Sequence, residues 1–150
     1  MDHQAAAEHK LKVADHLLST TYPIVKDPKL LISVIENLYE AMGEAITAVL
    51  EHELVLAHVH SAEQRLEMFR RKVVSKHSLD AGILDFVNEL KQIIDSHKHS
   101  KVEFSKKEKF VITDNNYNLQ TLTVEQVKPK VAQARKYINS LFNMSKIAFD

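Results

Sequence analysis

Two runs of basic side chains are the residues of this chain best suited to hold a ligand. The first run is Arg70, Arg71, Lys72, Lys76 and His77. The second run is His97, Lys98, Lys101, Lys106, Lys107 and Lys109. Lysine and arginine neutralise phosphates, and an aromatic ring beside them, such as Phe104 or Phe110, can stack on a base. The pattern predicts a nucleic acid or a nucleotide bound by surfaces near 70–77 and 97–109.

The second run also has features of an ordinary structural segment. Glu103 and Glu108 lie among its lysines, and phenylalanines beside lysines are often anchors in a hydrophobic core. The chain contains no glycine-rich phosphate-binding loop. The two runs therefore predict an anionic ligand without identifying it.

Nine histidines raise the question of a metal site. Metal sites in helical bundles need ligands that converge from facing helices, often as Glu-x-x-His on two of them. No glutamate of this chain has a histidine three residues later, and the His-Glu-x-x-His motif is absent as well. The sequence predicts neither a metal site nor a cofactor.

Three glutamates, Glu36, Glu40 and Glu44, follow one another at four-residue spacing and so share one helix face. Like charges at this spacing are mildly destabilising. One interpretation is a solvated face whose charge is neutralised by bases of a neighbouring helix. The other is an acidic dock for the basic surface of a partner, such as a second copy of the chain.

The composition of the 150 residues indicates one domain, residues 1–150, with its own core. There is no cysteine, and only two glycines and three prolines occur, which argues against a disulfide framework and a turn-rich β fold. No apolar run approaches the roughly 20 residues of a membrane span, and the N-terminus lacks an apolar signal segment. We expect a cytoplasmic protein that does not enter a membrane.

The net charge of zero is a cancellation between two parts of the chain. Residues 27–68 hold eight acids and two bases, whereas residues 69–109 hold ten bases and six acids. Such asymmetry concerns partners and association more than fold.

Hydrophobic periodicity predicts helices on both sides of the basic runs. The first covers about 4–20 and stops near Tyr22-Pro23, because the residue before a proline avoids the α region. The second starts at Asp27-Pro28 and extends to about Val59, with an apolar stripe wide enough to touch several neighbours. The side chains of this stripe that are expected in the core include Leu38, Met42 and Ile46. Its interior Gly43 is expected to allow another backbone to approach closely.

Three further helices follow. Ser61 and Gln64 resemble a capping box that opens a third helix ending near Lys76. Asp80 is placed to cap a fourth helix. The last helix starts either after a capping box formed by Thr123 and Gln126 or only at Pro129.

The segment between the fourth and last helices breaks the helical pattern. Residues 110–113 are β-branched or aromatic, 114–116 are turn-forming, and 117–122 alternate with a period of two, which predicts a short hairpin. Phe110, Ile112 and Leu119 are expected to pack it on the helices. The predicted fold is all-α: an antiparallel four- to five-helix bundle with an irregular or hairpin-like insertion at about 100–122.

Four stretches carry a resemblance to a known family. LYEAMGEAITAVL, residues 38–50, resembles the central helix of the higher-eukaryote-and-prokaryote nucleotide-binding (HEPN) helical bundles, and EHKLKVADHLLS, residues 8–19, is similar to their opening helix. Residues 99–112 and 122–142 also resemble a small group of archaeal proteins of similar length. The resemblance implies an antiparallel bundle that is commonly a homodimer.

Active members of this superfamily are metal-independent ribonucleases that use an arginine and a histidine a few residues apart. Arg71 and His77, in RKVVSKH, are the pair with matching spacing here. The histidine would transfer a proton and the arginine would stabilise charge on the phosphate. The residue after Arg71 is Lys72, where the family has a polar Asn, Asp or His, and the pair precedes the fourth helix instead of the last one.

Three functional hypotheses follow. The leading one is a non-catalytic bundle that binds nucleic acid or a nucleotide through the two basic runs. The second is a ribonuclease acting through Arg71 and His77. The third is a structural or protein-interaction subunit whose acidic second helix meets a basic partner.

Overall fold

The computed structural model describes residues 2–53, 59–77, 79–114 and 116–149, with side chains in the last helix described as far as 144. Within these ranges the protein is mostly helical, with five helices and a three-stranded antiparallel sheet before the last helix. The predicted helical fold is confirmed, but the all-α class is not exact because the insertion is a sheet. None of the helices in these ranges combines the length and the apolar character needed to cross a bilayer.

Helix α1 comprises His3–His16, a π-helical turn at Leu17–Thr21 and a last turn at Tyr22–Val25. The prediction that this helix ends near Tyr22-Pro23 is therefore wrong by about one turn. The N–H of Tyr22 donates to the carbonyl of Leu17, five residues back, so Pro23 falls at the start of a new turn, where its missing N–H is tolerated.

Helix α2, Leu30–His52, is the central helix and packs against every other helix. Its predicted stripe is confirmed: Leu38, Met42 and Ile46 are all fully buried. The predicted end near Val59 is wrong, since the helix ends at His52 and Glu53 adopts a non-helical conformation (φ −79°, ψ 3°). Residues 54–58 lie outside the described residues.

Helix α3 comprises Ala62–Phe69, a second π-helical turn at Arg70–Val74 and Ser75–His77. The capping box is confirmed: the Oγ atom of Ser61 accepts a hydrogen bond from the N–H of Gln64 at 3.1 Å. The side chain of Gln64 returns to the N–H of His60 at 2.7 Å. The first basic run thus lies on the second half of α3.

Helix α4, Gly82–Lys98, begins where it was predicted to begin. The Oδ1 atom of Asp80 accepts a hydrogen bond from the N–H of Gly82 at 2.8 Å, which satisfies one of the free donors at a helix start. The helix ends within the second basic run, so His97 and Lys98 belong to its last turn.

The insertion forms strands β1 (Val102–Lys106), β2 (Lys109–Thr113) and β3 (Leu119–Leu122), in that order across the sheet. The predicted hairpin is confirmed as β2 and β3, although Asn115 in its turn lies outside the described residues. Strand β1 was not predicted. Its signal is the alternation of apolar Val102 and Phe104 with polar residues.

One face of the sheet closes the helical core. Phe110, Ile112 and Leu122 belong to the same cluster of buried side chains as the helices. The expectation for Leu119 is wrong, because its side chain is 67% exposed. Leu119 is the register partner of Thr113, whereas Leu122 pairs with Phe110, so Leu122 and not Leu119 reaches the core.

Helix α5, Val124–Phe149, begins at the capping residue Thr123, whose Oγ1 atom accepts a hydrogen bond from the N–H of Gln126 at 3.3 Å. A start at Pro129 is therefore wrong. Pro129 and Glu125 are both exposed, so water can satisfy the Glu125 carbonyl that the proline cannot reach.

Candidate functional site

The lysines of the second basic run are all exposed and lie around strand β1. Lys98 ends α4, Lys101 precedes β1, and Lys106 and Lys109 are register partners on either side of the β1–β2 turn, which contains Lys107. In the part of the chain that the structure describes, none of these five lysines has an ion-pair partner. They are available to an external anion.

The outer face of the sheet combines these charges with an aromatic ring. Successive side chains of a strand alternate between faces, so Phe104 and Lys106 of β1 lie on the side opposite the core, beside Lys109 and Val111 of β2. Phe104 is 43% exposed, and its register partner Val111 is buried but lies outside the main core cluster. We call Phe104, Lys106, Lys109 and Val111 the lysine-rich sheet face.

The turn end of this face carries two unfavourable features. Lys106 and Lys109 are directly opposite each other, and like charges in that position destabilise a strand pair. Lys107 between them has a φ of 58°, in the left-handed region that non-glycine residues seldom occupy. Strained backbone of this kind clusters at binding and catalytic sites.

The two phenylalanines of the second run have different roles. Phe110 is 2% exposed and is a core anchor. Only Phe104 presents its ring to solvent. Phe104 stands between Glu103 and Ser105, and Phe110 stands between Lys109 and Val111. The strand register places the two rings on opposite faces of the sheet.

His97 differs from the lysines of its run because it already has partners. Its Nδ1 atom lies 2.6 Å from the Oε2 atom of Glu103, and its ring packs edge-on against Phe110 at a centroid distance of 6.4 Å. These contacts join the end of α4 to β1 and β2. His97 therefore positions the sheet and does not offer a free charge.

Most of the first basic run is neutralised by carboxylates. Arg70 and Arg71 both approach Glu67 on the preceding turn of α3, with Nε–Oε distances of 3.2 and 3.6 Å. The hydrogen bond from Arg70 lowers the pKa of the Glu67 carboxyl. Among the bases of this run, Lys72 is exposed and has no ion-pair partner in the described ranges.

Glu53, which was not predicted from the sequence, contacts Lys76 and His77 at the C-terminal end of the first run. Its Oε1 atom lies 2.8 Å from the Nε2 atom of His77, and its Oε2 atom lies 3.0 Å from the Nζ atom of Lys76. The Glu53 and His77 side chains are only 12% and 19% exposed. Burial alone would raise the pKa of Glu53, but the hydrogen bonds from His77 and Lys76 bring it below its ordinary value.

The structure does not bring Arg71 and His77 together. They are six residues apart, about 9 Å along the helix axis, and they contact different carboxylates, Glu67 and Glu53. Within the described ranges, no hydrogen bond or ion pair joins the first basic run to the second. His77 instead shares its carboxylate, Glu53, with Lys76.

The acidic row of α2 is met by bases of α1. Glu40 lies 2.7 Å from the Nζ atom of Lys10, and Glu44 lies 2.6 Å from the Nδ1 atom of His3. The contacts support the first interpretation, a solvated acidic face neutralised by a neighbouring helix. Glu36 instead lines a shallow cavity beside His97.

Gly43 is approached by a side chain and not by the expected backbone. A Cβ atom at this position would lie 3.0 Å from the Nη2 atom of Arg65, whose guanidinium covers the glycine. The Nε atom of Arg65 is buried and has no hydrogen-bond partner within the described part of the chain. The glycine therefore makes room for a cation from α3 beside Tyr39 and Glu40.

Within the described residues, no group of three or more His, Asp or Glu side chains converges to hold a metal ion. Comparison of the chain with protein-family models, with curated proteins and with solved structures found no match. A functional assignment must therefore come from the geometry of the chain itself.

Proposed function

We propose that the protein binds single-stranded nucleic acid on the lysine-rich sheet face. The observation that carries the proposal is the position of Phe104, an exposed ring on the same face as the unpaired Lys106 and Lys109. Proteins that bind single strands combine rings on which bases stack with cations that follow the phosphates. No other described phenylalanine is as exposed as Phe104.

The arrangement of charge suits an extended strand. Lys106, Lys107 and Lys109 lie at one end of β1, and Lys98 and Lys101 lie at the other. The rise along a strand separates Val102 from Lys106 by about 14 Å. A base stacked on Phe104 would thus have cations on both sides of it for the adjoining phosphates.

The proposed binding surface is smaller than the surface predicted from the sequence, which included both basic runs. Arg70, Arg71, Lys76 and His77 are neutralised by Glu67 and Glu53, and His97 is held by Glu103. Among the described residues of the two runs, Lys72 of α3 and the five lysines around β1 have no ion-pair partner, and only those five lie around the lysine-rich sheet face. A mononucleotide would engage Phe104 and one end of the face only, so we expect it to bind more weakly than a strand.

The proposal is tested by fluorescence anisotropy with a labelled uridine-rich RNA oligonucleotide at low salt. We expect Phe104→Ala to weaken binding about five- to 150-fold, because stacking on one ring contributes about 1–3 kcal/mol. Lys106→Ala and Lys109→Ala should each reduce the slope of log affinity against log salt by about one.

The matched control is the double variant Lys12→Ala and Lys136→Ala, which removes two exposed, unpaired lysines from α1 and α5. It should bind RNA nearly as the wild type does. The proposal fails if there is no binding at low salt, or if the control pair weakens binding as much as the loss of Lys106 and Lys109. Equal RNA affinity of the wild type and Phe104→Ala would also contradict the proposal, because only non-specific electrostatic attraction would then remain.

The contact between His77 and Glu53 favours a second candidate function, metal-independent cleavage of RNA. The resemblance to the HEPN ribonucleases suggests His77 as the proton-transfer group. A carboxylate at 2.8 Å would orient its ring, and Lys76, 3.0 Å from the same carboxylate, would take the charge-stabilising role expected of Arg71. This proposal also includes a homodimer, which the same resemblance implies, and the cytoplasmic location expected from the sequence.

This second candidate is tested by incubating RNA with the protein in EDTA. Cleavage should be abolished in His77→Ala and strongly reduced in Lys76→Ala, whereas Arg71→Ala should retain it if Lys76 has the role proposed here. Intact RNA after prolonged incubation at high protein concentration would exclude the candidate. RNA binding through Phe104 can persist in that case, so the two proposals fail separately.

A further inference from the structure

A cavity of about 590 Å³ lies between α1 and α5. Leu18 and Tyr22 of α1 and Val131 of α5 form its apolar part, and Glu108 reaches it from the β1–β2 turn. Its volume is in the range of small-molecule sites, about 300–1,000 Å³. We call it the Tyr22 cavity.

The hydroxyl group of Tyr22 is the unusual feature of this cavity. The residue is only 7% exposed, and its hydroxyl oxygen is buried without a hydrogen-bond partner among the residues that the structure describes. Buried polar groups are nearly always hydrogen-bonded, and an unpaired one is costly to the folded state. Tyr22 is one of the residues that line the cavity, so a ligand bound there can supply the missing partner.

The backbone next to Tyr22 is also irregular. The π-helical turn at Leu17–Thr21 immediately precedes it, and the N–H of Tyr22 closes that turn on the carbonyl of Leu17. Single π-turns inside α-helices occur frequently at functional sites. Here the turn and the following residues place Leu18, Ser19 and Tyr22 on the cavity wall.

The charges around the cavity indicate the chemistry of the missing partner. At one end Asp15 and Arg135 lie 3.6 Å apart and neutralise each other. Glu108 and Glu125 line the cavity without an ion-pair partner in the described ranges, against a single unpaired base, Lys128. Burial, with these two carboxylates and Asp27, raises the pKa of the Tyr22 hydroxyl.

We propose that the Tyr22 cavity binds a small organic amine with an apolar body. Its ammonium group would donate hydrogen bonds to the Tyr22 hydroxyl oxygen and to the carboxylates of Glu108 and Glu125. Its apolar body would lie against Leu18 and Val131. This inference is independent of the proposed nucleic-acid binding, which uses the opposite set of charges.

The test is a calorimetric and NMR titration of the full chain with two probes of equal shape, naphthylmethylamine and naphthalenemethanol. We expect the amine to bind at the cavity and the alcohol to bind roughly tenfold more weakly, because a neutral hydroxyl donates only one hydrogen bond and forms no ion pair with the carboxylates. Tyr22→Phe and Glu108→Gln should each weaken the amine by roughly tenfold.

Equal binding of amine and alcohol, no binding of either, or unchanged amine affinity in both variants would overturn the proposal. Folding is checked independently, because Tyr22→Phe removes only an unpaired hydroxyl and should melt at or above the wild-type temperature without ligand. A lower melting temperature would show that the hydroxyl has a partner, which would remove the basis of the inference. Glu8→Gln, an exposed α1 glutamate outside the cavity lining, is the charge-matched control for Glu108→Gln.

Discussion

The Nε2 atom of His77 lies 2.8 Å from the Oε1 atom of Glu53, although the two residues are 24 positions apart. If Nε2 carries the proton, it donates to the carboxylate, and Nδ1 is then the ring nitrogen left to accept a proton. The contact joins the end of α2 to the end of α3. It is therefore both a tertiary contact and the best-oriented acid–base pair of the first basic run.

The pair makes stability depend on pH through Glu53. Its pKa is lower in the folded protein than in the unfolded chain, so the folded state binds fewer protons. The free energy of unfolding should therefore fall as the pH drops from about 5 through the lowered pKa. Urea unfolding at a series of pH values measures this slope.

Replacing the carboxylate should remove that part of the pH dependence. Glu53→Gln should lower the free energy of unfolding at pH 7 by about 1–3 kcal/mol, because hydrogen bonds to a charged and largely buried group are lost. Glu8→Gln, at an exposed residue, is the control and should keep the wild-type slope. The same slope in Glu53→Gln and the wild type would contradict the assignment.

The contact between Gly43 and Arg65 predicts a stabilising substitution. Gly43→Ala should gain about 1 kcal/mol of helix propensity, and the Cβ would meet only the end of a flexible side chain, at 3.0 Å. Moving the guanidinium outward also lets water reach its buried Nε atom. We expect a net increase in the free energy of unfolding of about 0.5–1 kcal/mol.

A double-mutant cycle separates the two contributions. In an Arg65→Ala background, Gly43→Ala should yield the full helix-propensity gain, and the difference between backgrounds is the cost of displacing the guanidinium. A loss of stability on Gly43→Ala in the wild type alone would mean that Arg65 cannot move. A loss in both backgrounds would mean that the glycine serves another contact.

The core of α2 was predictable because helical periodicity depends on sequence alone. Leu38 and Ile46 were assigned to the core and are both fully buried. Each truncation to alanine should cost about 2–5 kcal/mol, measured by chemical denaturation. Exposed Lys12→Ala is the control and should change stability by about 0.5 kcal/mol at most. A similarly small change for Leu38→Ala would mean that the stripe is misassigned.

Local sequence likewise predicted the caps at Ser61, Asp80 and Thr123, since each contact spans two or three residues. What it could not predict depends on distant residues. Glu53 was not predicted to be a functional residue, because nothing near it in sequence indicates that α3 will bring His77 to it. Strand β1 was missed for the same reason: its five residues pair with a strand that follows them. Its one lysine, Lys106, also stands where the alternation of Val102 and Phe104 would continue with an apolar residue.

The strand register predicts opposite consequences for the two phenylalanines of the insertion. Phe110→Ala should cost about 3–5 kcal/mol, because the ring is buried in the core. Phe104→Ala should change the free energy of unfolding by less than about 1 kcal/mol, since the ring is 43% exposed. Denaturant unfolding of the two variants compares them directly. Similar losses in both would mean that the outer sheet face is covered in the folded protein.

Because Lys106 and Lys109 are opposite each other, a substitution at Lys106 should change stability and RNA binding in opposite directions. Lys106→Glu replaces a cross-strand repulsion by an attraction, which should raise the free energy of unfolding by about 0.2–1 kcal/mol. The same change places a negative charge beside Phe104 and should weaken RNA binding more than Lys106→Gln does. Unfolding and anisotropy measured on the same samples compare the two effects. If Lys106→Glu bound RNA as well as the wild type, the lysine-rich sheet face would not be the binding surface, because its charge would be reversed at the point nearest the ring.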